Sequence, residues 1–570
     1  MPTPQCLTTS QHHDFDLDVT SGTWPADIGG SVLFSAPMIS GAVPYGIFDF
    51  GCAIRLSLEP GTYGAAPGRL AWRVSPIESP SKRLHDRAAA SFSPSPVGYQ
   101  SPFGAPNSSN TAPLPWGNRL FTTWDAGRPV ELHPHTLKYV AEVGSIESWA
   151  PPAMFGDTVL PFVLSSAHPV VDPDRNGLWT TKLDPVIADT FSMAPSVVWW
   201  DPQSCDVKVW PLADIVFQGS THTVSQTRDW LILCDSGNFR TDMGEMFGGE
   251  RTVTVGTDAP VWLLRKDELL AQPSGSPVHP VCFRVAPPNG HFYARYDDSE
   301  GITCVWEGMD LMDLGLYVRA DDLDVLGRPV DPTSVGLYNM SMAPETLMEV
   351  SFDPDTATVH ERATFKTDWS FNLQLSAMDW STEGLSAPTL HHVDFQGCRP
   401  GRVVQRAARL YEDRIDVAQL QEETPGRLVS FRRGGLEVAS SWEYPDTNEL
   451  ITSPTFVPRN VGADPTASSY AGGQPGGHDG YVVQPVLSDD GFRVEVFDAA
   501  NVGAGPIAVA HGSKRERVPL LLHSAWMPTR DRLVDAPRVR FADELTDARL
   551  ANLDDAQRAA VHLVAAELDS

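Results

Sequence analysis

The chain has 570 residues, with 72 acidic side chains against 42 basic ones and a formal net charge of −30 at pH 7. A nucleic acid binder needs a basic face, so this balance excludes DNA and RNA as partners and makes an anionic bilayer repel the surface on average. The length exceeds an ordinary single domain, which leaves several domains or one large closed β-architecture.

The N-terminal stretch MPTPQCLTTSQHHDFD has neither a basic nor an apolar leader segment. No run approaches the roughly 18 apolar residues of a membrane span, so the expectation is a cytoplasmic protein. Further along, 49 prolines and 45 glycines cut the chain into short runs. Residues 86–115 are dense in Ser, Pro, Gly and Ala and read as a long loop over one face. WLILCDS (230–236), VWLLRK (261–266), GYVVQPV (480–486) and RVEVFDA (493–499) are β-branched or aromatic and bounded by turn formers, so they read as strands. Many short strands favour a propeller or a sandwich over an α/β fold. No clean repeat is visible, so the spacing gives no blade count. At the end, Asp554 caps a helical pattern that puts Val561, Val564, Ala565 and Leu568 on one face. The predicted organisation is one body over 1–530 and a helical extension over 531–570.

The seven cysteines, at 6, 52, 205, 234, 282, 304 and 398, are odd in number and form no Cys-x-x-Cys pair. That argues against a disulfide framework and a thiolate zinc site. Four histidines stand out instead, each in a short apolar or aromatic, turn-bounded segment: LSSAHPVVD (His168), GSTHTVSQ (His222), PPNGHFYARYDD (His291) and RVPLLLHSAWMP (His523). A lone histidine in a strand is more often a core or surface residue. Four neutral imidazoles together carry no ligand charge, suit a borderline divalent metal such as Fe(II), and leave coordination positions for a small molecule.

The four segments, in this order, resemble the iron-binding segments of the carotenoid cleavage oxygenase family. Further stretches extend the likeness over roughly residues 20–530. GIFDFGCAIRLSL resembles the family's Phe-Asp-Gly-Asp-Gly turn, with Phe48, Asp49 and Gly51 matching and Phe50 and Cys52 departing. NTAPLPWGNRLFTTWDAGRPVELHPHTLKYV matches through Asn110, Thr111, Gly127, Pro129, Thr136 and Leu137, and SPTFVPR, HDGYVVQPV and VPLLLHSAW follow as in the family's last blades.

The resemblance implies an all-β, seven-bladed propeller with loops and short helices over one face. It implies Fe(II) held by His168, His222, His291 and His523, O₂ as co-substrate, and oxidative cleavage of a conjugated C=C bond to two carbonyl compounds. It also allows peripheral contact with a membrane through an apolar patch. No organic cofactor is expected, and no Gly-rich dinucleotide or phosphate loop occurs. Three family glutamates that hold the ligand rings correspond here to Asp125, Asp394 and Ser453, of which serine supplies no charge; Glu443 or Glu449 is the substitute considered. Asp297 takes an acidic position after the third ligand, against the plainer reading of a turn acid. Stilbene-cleaving relatives carry a lysine where this chain has Trp124, and an apolar wall suits a polyene better than a phenolate. The expected substrate is therefore an apolar carotenoid or apocarotenoid. A same-fold isomerase or isomerohydrolase, a stilbenoid dioxygenase and a metal-free scaffold are the alternatives. His133, His135, His391, His392 and His478 read as surface or structural.

Overall fold

A computed structural model describes residues 12–44, 46–58, 70–186, 192–236, 242–246, 248–251, 253–311, 317–336, 344–370, 390–432, 434–459, 479–488, 491–513, 518–528 and 532–569. The described chain is mainly strand. Five sheets are separate antiparallel blades of three or four strands, spanning 112–142, 170–211, 224–285, 289–370 and 390–444. Each blade is a meander in which a strand pairs with the next one in the chain, as Gly177–Val186 does with Ser192–Trp200.

The remaining long sheet has ten strands and unites the two ends of the chain. His13–Gly22 pairs with Leu70–Pro76 on one side and with Ala508–His511 on the other, while Gly30–Pro37 pairs with His523–Met527. Joining the first strands to the last ones leaves no open edge where the ring meets itself.

The strands read as continuous apolar runs because both faces of a blade are covered by its neighbours. Ile232, Val261 and Leu263 of one blade pack with Phe292, Trp306 and Val350 of the next in a single core cluster. An outermost strand is less covered, as Glu437–Tyr444 shows with mostly exposed or half-buried positions. First strands of successive blades, such as Val224–Gln226 and Asn289–Ala294, lie side by side, and the four histidines sit on or just before such strands.

The segment read as a long loop is more ordered than its composition suggests. It begins within the helix Pro80–Arg87, continues through a 3-10 turn at Ala89–Ser91, and forms a hairpin of Ser93–Ser95 with Gly98–Gln100. Its prolines fit because the hairpin is only three residues deep and asks for few backbone donors. In the C-terminal tail, Asp554 and Gln557 form a capping box, and the helix Asp555–Leu568 buries Val561, Val564 and Ala565 in the core that holds Val32 and Trp72. Among the described residues the cysteines are free thiols, and no helix is long and apolar enough to cross a membrane.

Candidate metal centre

Backbone bonds that tie one blade to the next place His168 and His222, and strand register within a sheet places His291 and His523. The His168 N–H donates to the His222 carbonyl and the Val224 N–H returns to the His168 carbonyl, both at 3.0 Å, and the Ser166 hydroxyl donates to the His222 carbonyl at 2.8 Å. His291 lies in the strand Asn289–Ala294, whose register with Ile302–Gly308 shifts between Asn289 and Phe292. That bulge re-aims the side chain out of strict alternation. His523 starts the strand His523–Met527, opposite Ser35 near the other end of the chain.

The four imidazoles converge. One ring nitrogen from each lies within 4.8 Å of the others, and all four side chains are buried. Ring centroids are 4.3 Å apart for His168 and His523, 4.8 Å for His168 and His222, and 5.1 Å for His222 and His291. Burial, with smaller effects from neighbouring imidazoles, pushes the His168, His222 and His523 rings well below the ordinary histidine value. Burial takes His291 down to about 3. The rings are thus neutral at physiological pH, with lone pairs available. His291 Nε2 is buried with no hydrogen-bond partner among the described residues, a costly arrangement that a cation at the centre would satisfy. The residues present therefore fit a four-coordinate nitrogen site for a divalent transition metal.

Carboxylates orient two of the rings. Asp125 Oδ2 lies 2.9 Å from His222 Nδ1, and Oδ1 accepts from the Ala167 N–H at 3.2 Å. Burial pushes the Asp125 carboxyl up to about 8, opposed by that Ala167 bond. Its backbone is fixed as well: the Asp125 carbonyl accepts from the Ser165 N–H at 2.7 Å, while the Ser165 hydroxyl donates to the carbonyls of Trp124 and Gly127 at 2.9 and 2.6 Å. The second ring is held by a residue the sequence reasoning passed over. Glu307 Oε2 accepts from both the His291 backbone N–H, at 3.0 Å, and ring Nδ1, at 2.9 Å. An acid within the otherwise apolar strand ITCVWEG, which pairs with the His291 strand, was the signal available.

The other two candidates do not reach a ring. Asp394 is buried in the strand Leu390–Phe395 with neither carboxyl oxygen hydrogen-bonded to another of the described residues, and burial, with Glu307 nearby, raises it well above its ordinary value. Its stem is one carbon shorter than glutamate, and Glu307 occupies His291 Nδ1. Ser453, at φ 52°, donates from its hydroxyl to the Leu522 carbonyl at 3.1 Å, so it braces the backbone leading to His523. His523 Nδ1 is buried without a hydrogen-bond partner among the described residues. Glu443 pairs with Arg427 and Glu449 with Arg493, so neither substitutes for Ser453.

With the geometry established, the model for the family described as RPE65, retinal pigment epithelial membrane protein, matches residues 8–528. The chain belongs to the carotenoid oxygenase family. Solved structures agree at the level of fold. Cobalt-substituted ACO of Synechocystis is 15% identical with a TM-score of 0.58, and a chimera of ACO and RPE65 is 14% identical with a TM-score of 0.58. In each case the alignment covers 92% of this chain and 98% of the other. No curated protein sequence matches the chain.

A cavity of about 20 Å³, lined by His168, His523, Ala112, Leu114, Val170 and Val224, borders two of the rings. Trp124, next to Asp125, is buried and packs edge-on to Phe48 at 6.3 Å. The remaining candidates have structural roles. Asp297 accepts from the Ser299 N–H in a turn, and the His133 ring accepts from the N–H groups of His135 and Thr136. His391 and His392 are buried, the latter bonded to Ser430 at 2.8 Å, whereas His478 lies outside the described residues.

Proposed function

We propose that the protein is an Fe(II)-dependent dioxygenase that cleaves a conjugated C=C bond of an apolar carotenoid or apocarotenoid to two carbonyl products. The observation that carries this reading is the convergence of four buried, neutral imidazoles on one point. His168, His222, His291 and His523 would hold the iron. When bound, it supplies a redox centre with open coordination positions for O₂. The atoms balance: O₂ and one C=C bond give two C=O bonds, and the substrate bond supplies the electrons.

The chain's own residues prepare that chemistry. Asp125 and Glu307 each take the Nδ1–H of a ring, which fixes the tautomer and keeps the Nε2 lone pair inward. Trp124, next to the acid that holds His222, and Phe48 packed edge-on to it offer apolar surface, which supports a polyene over a phenol. Met154 and Phe155, 50% and 42% exposed, form an apolar turn that supports transient contact with a lipid phase carrying such a substrate. The ten-stranded sheet divides naturally into two blades bridged by His13–Gly22, which together with the five separate ones supports a seven-bladed ring.

A second reading is an iron isomerohydrolase on the same fold, which the same four imidazoles would serve. Protein purified without chelator is expected to carry a single equivalent of iron, lost in His222→Ala and His523→Ala. It is further expected to place one atom of labelled O₂ in each carbonyl product from an apocarotenal. Iron-loaded protein that converts substrate without label would select isomerohydrolysis, and protein that stays metal-free after anaerobic Fe(II) loading would overturn both readings.

A further inference from the structure

The family match stops at residue 528, and the tail beyond it reaches back to Arg128, on the turn that carries Asp125, through a buried carboxylate. Glu544 ends the turn Phe541–Glu544 and is 6% exposed. Its Oε1 accepts from Arg128 Nη1 at 3.1 Å and from the Ile146 backbone N–H at 2.5 Å, and its Oε2 accepts from Arg128 Nη2 at 3.0 Å. Arg128 also donates to the Gly144 carbonyl at 2.7 Å and to Glu142. The Arg128 carbonyl accepts from Asn107 Nδ2 at 2.8 Å, and the same amide bonds Glu142 at 3.0 Å.

This ionic knot sits at the foot of the turn that carries Asp125, between the strands Arg119–Thr123 and Val130–Leu132. The turn has little slack. A Cβ on Gly127 would meet the Asn107 amide at 2.1 Å, and Ser165 bonds the carbonyls on both sides of the turn. A second tail residue grips the same hairpin from its returning strand: Arg538 bonds Glu131 at 2.8 and 2.9 Å, and Glu131 also holds Arg119. Elsewhere the tail is anchored by Glu567 to Arg83 and Arg87 on the helix Pro80–Arg87, which is not part of this hairpin.

We infer that Glu544 is a positioning residue of the metal centre: the C-terminal tail clamps the Asp125 turn from outside and, through Asp125, sets the His222 ring. A paired charge buried this deeply does more than add stability, because its partner Arg128 stands three residues from a carboxylate that must stay within 2.9 Å of His222 Nδ1. Glu544→Gln keeps the volume but turns one acceptor into an N–H that faces Arg128, so the knot opens without a cavity.

The binding part of the test rests on the metal reading above, so it is paired with a measurement that does not. Full-length protein is titrated with Co(II), followed by its visible absorption, as wild type, Glu544→Gln, Glu567→Gln, Asp125→Asn and the Glu544→Gln/Asp125→Asn pair. Hydrogen exchange of the Ser165 and Ala167 amides, which donate to Asp125, is measured on metal-free protein. The clamp predicts about tenfold weaker Co(II) binding and faster exchange at both amides for Glu544→Gln, and neither for Glu567→Gln. It also predicts no added loss from Glu544→Gln once Asp125 is asparagine. Equal effects of Glu544→Gln and Glu567→Gln, or additive losses in the pair, would overturn it. Wild type that takes up no Co(II) would refute the metal reading, and the exchange comparison would then decide the clamp alone.

Discussion

Glu307 Oε2 lies 2.9 Å from His291 Nδ1 and 3.0 Å from the backbone nitrogen of the same residue, so one carboxylate oxygen holds both the ring and the bulge that aims it. Both donors are buried, and neither finds water if the acid is removed. Glu307→Gln is expected to weaken Co(II) or Fe(II) binding roughly 10-fold and Glu307→Ala up to roughly 100-fold, read by competition with a chromophoric chelator. Binding unchanged in both variants would mean the bulge alone positions the ring.

Asp394 makes the opposite case, a buried carboxyl that, among the described residues, reaches no side-chain partner. Burial raises it well above its ordinary value of 3.8, opposed by a bond from its own backbone N–H and aided by the neighbouring Glu307. The neutral form is therefore favoured in the fold, and the unfolded chain releases the proton more readily. Its contribution to stability is fully present below the unfolded value and is lost as pH rises toward the folded one. Asp394→Asn, neutral at every pH, should raise Tm at about pH 7 and leave it unchanged at about pH 3. A variant that lowers Tm equally at both would show that the carboxyl has a bonding role.

These two acids mark where the sequence was readable and where it was not. The four histidines could be found because each sits in a short apolar segment with its own turn signals, and strands that cross a common axis deliver such residues to one point. Asp125 could be found because its turn shares a hairpin with a matched segment. Asp394 and Ser453 were placed by position, which carries no information on side-chain reach: one carbon less leaves Asp394 short, and a left-handed backbone commits the Ser453 hydroxyl to a carbonyl. Glu307 depends on a register shift between two strands, a three-dimensional feature with no linear signature. The helical tail was legible from its capping box, whereas its reach to Arg128 was not, since 416 residues separate Glu544 from its partner.

Ser453 offers a separation of stability from metal binding. Its hydroxyl and that of Thr452 anchor the Leu522 and Leu521 carbonyls just ahead of His523, without touching the ring. Ser453→Ala removes one buried hydrogen bond and is expected to cost about 1 kcal/mol in chemical denaturation. Metal affinity should stay within about twofold of wild type, in contrast to the larger loss expected for Asp125→Asn. A loss as large as that of Asp125→Asn would mean that the brace sets the ring after all.

Trp124 tests the substrate class. Its indole is 8% exposed, flanks the acid that holds His222, and meets Phe48 at 6.3 Å, so any substrate reaching the centre from this side meets apolar surface first. Trp124→Lys replaces that wall with a solvated charge, while the neighbouring Asp125 bond to His222 can persist. For an apocarotenal the loss of apolar contact is expected to cut kcat/KM by roughly tenfold or more, mostly through KM, because ground state and transition state lose the same burial. A hydroxystilbene should gain relative to the apocarotenal, since an ammonium favours a phenolate. If the variant cleaves both substrates at wild-type rates, the tryptophan does not border the bound substrate, and the preference for a polyene loses its structural basis.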